Sequence, residues 1–125
     1  MKNIFLLLLF PTVLFSQVNF SEDVSPIIYN NCTECHRDGG AGPMPFTSYE
    51  DVAALGFMVQ YVTQSGYMPP WHADPNIGHF SNDRSLTIEE TQKLVHWIEA
   101  GSPRGSGPDP IAEATIIQYI ILQKG

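Results

Sequence analysis

The stretch Cys32-Thr33-Glu34-Cys35-His36 constrains this chain more than any other. Thiols at i and i+3 and an imidazole at i+4 share one face of a helical turn, so both sulfurs and a ring nitrogen address a single ligand. That spacing is the attachment motif of a c-type haem, whose two vinyl groups the thiols bond while His36 reaches the iron. Three other readings compete. A zinc ribbon needs a second cysteine pair, and the chain has 2 cysteines in all. A thioredoxin-like redox dithiol belongs in a βαβ setting, of which the sequence shows no sign. A simple disulfide in an exported protein is the plain alternative. Haem is the reading these residues favour.

Size and composition agree with it. A chain of 125 residues holds one domain, and 10 Gly with 10 Pro make it rich in turns. A small core of this kind is often completed by a metal or cofactor. The formal net charge of −7 argues against a nucleic-acid partner. It suits an acidic surface that meets a redox partner protein or domain.

Residues 1–16 read as a secretory signal peptide, with Lys2 as the charged start and Ile4 to Phe10 as the apolar run. Cleavage is expected before Gln17, giving a periplasmic protein with no stable membrane span. Export fits haem attachment, which takes place outside the bacterial cytoplasm. A cofactor domain over residues 17–109 and an apolar C-terminal extension over 110–125 would follow.

Within the domain, Phe20 to Asn31 is expected to be helical, capped by Ser21, although Pro26 allows a true start near Ser25. The Gly- and Pro-rich run from Arg37 to Phe46 is a loop able to approach a flat group closely. Thr47 to Glu50 offers a capping box for one helix over Ser48 to Gln64, with Met58 in its core face. Next comes Tyr67-Met68-Pro69-Pro70-Trp71-His72, where paired prolines hold Met68 on stiff backbone. Met68 is the first choice for a sixth iron ligand and His72 its chief rival, followed by His79, Met44 and Met58. Arg84 has the geometry to pair with a haem propionate, or it is a solvated surface residue. A second capping box, Thr87 to Glu90, opens a helix that Gly101 and Pro103 close. In that helix Trp97 is a core or haem-packing aromatic, and His96 faces solvent. The tail from Ile111 to Leu122 is apolar, too short for a membrane span, and reads as a last helix or a partner contact.

Together, the Cys32–His36 motif, Gly42-Pro43, Met68-Pro69-Pro70 and a late helix with Leu94 and Trp97 resemble the class I cytochrome c family. The resemblance covers roughly Phe20 to Gly101. It implies an all-α fold wrapped around one covalently bound haem, with His36 and Met68 on the iron. It also implies that the carbonyl of Pro43 accepts the second ring N–H of His36. The run from Met68 to Pro75, with Phe80 to Leu86 and Trp97 to Gly105, looks closest to a particular subgroup. These are cytochrome domains found ahead of copper type II, ascorbate-dependent monooxygenase-like domains in bacterial exported proteins. The function implied is one-electron transfer rather than catalysis, by a stand-alone carrier or by a domain feeding an oxidoreductase.

Overall fold

A π-helical turn, Phe20–Val24, runs directly into α1, Ser25–Asn31; α2, Tyr49–Ala54, α3, Gly56–Gln64, α4, Ile88–Glu99, and α5, Pro110–Gln123, follow. The structure, a computed structural model, describes residues 17–71, 73–74 and 76–123. The expected signal peptide over residues 1–16 and the rival ligand His72 therefore lie outside the described residues. Among those described there is no strand, so the chain is all-α as expected. None of the described helices is long and apolar enough to cross a membrane.

Proline explains the unusual start. Pro26 has no N–H to return to the carbonyl four residues back, and its ring crowds that carbonyl. The chain winds loosely before it, with the Val24 and Ser25 N–H groups reaching back five residues to the Asn19 and Phe20 carbonyls. The cap is Asn19 rather than Ser21. Its side chain accepts from the Glu22 N–H at 3.0 Å, and its own N–H donates to Asp23 at 2.9 Å.

The single helix expected over Ser48 to Gln64 is two. At Leu55 (φ −106°, ψ 13°) the chain leaves helical geometry, and buried Gly56, a weak helix former, starts α3. Ser48 caps α2 by accepting from the Asp51 N–H, and Asp51 reaches back to the Thr47 N–H and hydroxyl at 3.0 and 2.8 Å. The partner in this cap is thus Asp51, not Glu50. The break also turns the helix face: Met58, expected in the core, is 50% exposed. For α4 the expectation holds, because Thr87 and Glu90 form the reciprocal box and Gly101, at φ +86°, follows the helix end.

The core gathers Phe20, Val24, Ile27 and Ile28 against Phe46, Val52, Val59, Leu94, Trp97 and Ile111. The N-terminal turn is pinned beside the segment after α4, since the Phe20 and Ser21 N–H groups donate to the Pro103 and Arg104 carbonyls at 2.9 and 3.0 Å. Gly105 makes that approach possible: a Cβ there would run into the Asn19 amide, and its φ of +85° suits glycine alone. Ile111 is 1% exposed, so the last helix begins packed against the core.

Candidate functional site

Helix α1 delivers the cysteine motif. After Asn31 the chain keeps turning: the Cys32 N–H donates to the Ile28 carbonyl at 2.9 Å. The Cys32 carbonyl in turn accepts from the Cys35 and His36 N–H groups at 3.2 and 2.9 Å. One extra turn therefore carries all three side chains, as the i, i+3, i+4 spacing predicts. Both thiols are free and partly buried. Cys32 packs on the hydrophobic core. Burial, with a smaller contribution from the neighbouring Cys35, pushes its thiol up to about 12. A thiol that stays protonated at neutral pH is unlike the attacking sulfur of a redox dithiol, which has a lowered pKa. Among the described residues no three His, Cys, Asp or Glu side chains are grouped to hold a metal ion.

His36 is oriented from two sides. Its Nδ1 lies 2.8 Å from the Met44 carbonyl oxygen. A carbonyl only accepts, so Nδ1 carries the proton, and in the neutral ring Nε2 keeps a free lone pair. The acceptor is Met44, one residue beyond the Pro43 that the family resemblance implies. The loop's anchors set this register: the Gly42 N–H donates to the Cys35 carbonyl and the Phe46 N–H to the His36 carbonyl, each at 2.8 Å. Met44 is midway between them. Phe46 stacks on the imidazole, with ring centroids 4.8 Å apart and planes 18° from parallel. Gly42 lies against the same ring so closely that a Cβ there would sit 2.7 Å from Nδ1. Sequence reasoning missed Met44 as acceptor and Phe46 as stacking partner. The proline after Met44, which drives its backbone to an extended conformation, is the one local signal for the first.

The other expected site residues scatter. Met68 follows α3, where its N–H and that of Tyr67 both donate to the Val62 carbonyl at 2.9 Å, and its side chain is half-buried. Beyond it, Trp71 and Phe80 meet edge to face at 5.8 Å, and His79 is exposed. Arg84 forms an ion pair at the surface with Glu34, inside the cysteine motif. That pair ties the loop before α4 to the attachment turn. Trp97 is 0% exposed, wedged between Phe20 and Tyr49, with its indole N–H donating to the Pro103 carbonyl at 2.9 Å. A side chain with no accessible surface has no face for a cofactor, so Trp97 is a core residue.

A cavity of about 460 Å³ opens between the outer side of the motif and α5, lined by Thr33, Glu34, Arg37, Phe46 and Tyr119 among others. Neither thiol nor His36 lines it, so it is distinct from the face that the cysteines address. No protein-family model, curated protein or solved structure matches the chain. What the site can do rests on its own chemistry. Two unpaired thiols and one oriented imidazole with a free nitrogen fit a covalently held haem and fall short of a four-ligand zinc site.

Proposed function

We propose that this chain is a c-type cytochrome that carries single electrons outside the cytoplasm. The observation that carries the proposal is the orientation of His36. A ring whose Nδ1 donates to Met44 presents Nε2 as a ligand of fixed direction and raised basicity, beside two free thiols on the same turn. Cys32 and Cys35 would bond the macrocycle, and His36 and Met68 would ligate its iron. The cofactor would supply a one-electron iron couple, and His/Met ligation would place its potential high. The residues of the chain hold and orient. Gly42 lets the loop close over the imidazole, Phe46 keeps the ring plane, and Pro69 and Pro70 stiffen the backbone after Met68. No residue is assigned to bond-making on a substrate, and the partner is a redox protein or domain, with basic surfaces favoured by the chain's charge of −7.

The test is expression of the full chain with a haem-attachment system, followed by absorption spectra in both redox states. Colour should survive denaturing electrophoresis, and replacing Cys32 and Cys35 together by Ala should abolish it. The oxidised protein should show the weak near-infrared band of sulfur-to-iron charge transfer, lost in Met68→Ala and retained in His72→Ala. Uptake of zinc in place of haem would overturn the proposal. A band absent from the wild type, with iron opened by His72→Ala, would replace Met68 by His72 and leave the attachment reading intact.

A further inference from the structure

The chain between α3 and α4 is tied down at few points. Near its start the Met68 N–H bonds the Val62 carbonyl, and near its end Leu86 packs on the core. Between them, among the described residues from Trp71 to Ser85, every backbone N–H that bonds finds its acceptor within three residues. The ion pair of Arg84 with Glu34 is the one polar link from this stretch to the rest of the described protein. A cross-link across a long loop removes conformations that its ends alone would leave open.

Both ends of that link are telling. Glu34 stands between Cys32 and Cys35, two residues before His36. The other cation of the motif does not compete for its carboxylate, because the Arg37 Nε–H donates to the Glu34 backbone carbonyl at 3.0 Å. From Arg84 the constraint runs back toward Met68. The Asp83 N–H closes a turn onto the Phe80 carbonyl at 3.2 Å, and Phe80 meets Trp71 edge to face, with centroids 5.8 Å apart. The Trp71 N–H in turn donates to the Pro69 carbonyl at 2.7 Å, directly after Met68.

We propose that Arg84 is a positioning residue for Met68: by clasping Glu34 it holds the methionine's loop against the attachment turn, and the Trp71–Phe80 contact carries the constraint to the ligand. The inference rests on the reading of His36 and Met68 as the iron's ligands. Thioether is a soft ligand and ferric iron a harder ion, so occupancy of the sixth position depends on how the loop is held. An exposed ion pair is a weak clasp, worth at most about a five-fold bias toward the closed loop.

Imidazole titration of the oxidised, haem-loaded chain reads how readily Met68 leaves the iron. Met68→Ala gives the affinity for imidazole with no sulfur in competition. Arg84→Gln should raise the wild-type affinity about three-fold, and Glu34→Gln by the same factor. The two together should raise it no further, because each removes the same pair. Arg84→Lys keeps the charge and should stay nearer the wild type than Arg84→Gln. Trp71→Leu should raise the affinity with the pair intact, since the constraint then stops at Phe80. Unchanged affinity in Arg84→Gln and Glu34→Gln overturns the proposal, as do additive effects of the two; either result leaves the ligand reading standing. A wild type that lacks the near-infrared band, or binds imidazole as tightly as Met68→Ala, overturns the ligand reading and the clasp with it.

Discussion

The Nδ1 proton of His36 points at the Met44 carbonyl across 2.8 Å, and that bond fixes the direction in which the ring presents Nε2. The loop achieves it with two backbone anchors, at Gly42 and Phe46, that are four residues apart. Gly42 has no room for a side chain. Its substitution by Ala would force a Cβ to 2.7 Å from the ring nitrogen, so either ring or loop must move. Gly42→Ala is expected to cost about 1–3 kcal/mol in urea unfolding. In the haem-loaded protein it should also shift the spectrum, which a change in loop stability alone would not do.

Asp109 holds two helix starts at once. One carboxylate oxygen accepts from the Ile111 and Ala112 N–H groups of α5 at 3.0 and 3.3 Å, and the other from the Tyr49 N–H at the start of α2. The residue is 7% exposed. Asp109→Ala leaves orphaned donors at both ends and should cost about 2–3 kcal/mol. Asp109→Asn keeps one acceptor oxygen and should cost about 1 kcal/mol less. Equal losses in chemical unfolding would show that only one of the two caps contributes.

The Glu34–Arg84 pair lies in solvent, so its worth is in position more than in energy. The hydrogen bond from Arg84 holds the Glu34 carboxyl below its ordinary value. A depressed carboxyl contributes above the unfolded value of 4.5 and loses that contribution as pH falls. Arg84→Ala should return the Glu34 titration, followed by NMR, toward the ordinary range. Covalent haem should be retained, because the arginine is engaged by the motif's own carboxylate.

The Cys32 thiol gives the haem-free chain an alkaline weakness. Unfolded, it ionises near 9.0; folded, burial delays this to about 12. A raised folded value means stability that is complete below pH 9 and lost as pH climbs toward 12. Cys32→Ala should flatten the slope of stability over that window in the haem-free protein. Once the sulfur is a thioether it has no proton to lose, and the wild type should then show the flat profile too.

Local patterns determined much of this protein. The spacing of Cys32, Cys35 and His36 commits three side chains to one turn whatever surrounds them, because helical periodicity is a property of backbone geometry. Thr87 and Glu90 likewise specify their own cap, and Pro26 specifies where α1 can begin. Contacts between distant segments were not legible in the same way. Whether Trp97 meets a cofactor or the core depends on Phe20 and Tyr49, far away in the chain, and the choice of Arg84 between partners depends on where a loop brings it relative to Glu34. Met44 replaces Pro43 because the backbone anchors from Gly42 to Cys35 and from Phe46 to His36 set the loop's register, a closure that no side-chain pattern announces, and Asp109 joins α2 to α5 across 60 residues. Sequence periodicity reports which residues share a face. Only the tertiary structure decides what that face meets, since the partners are chosen by packing the whole chain at once.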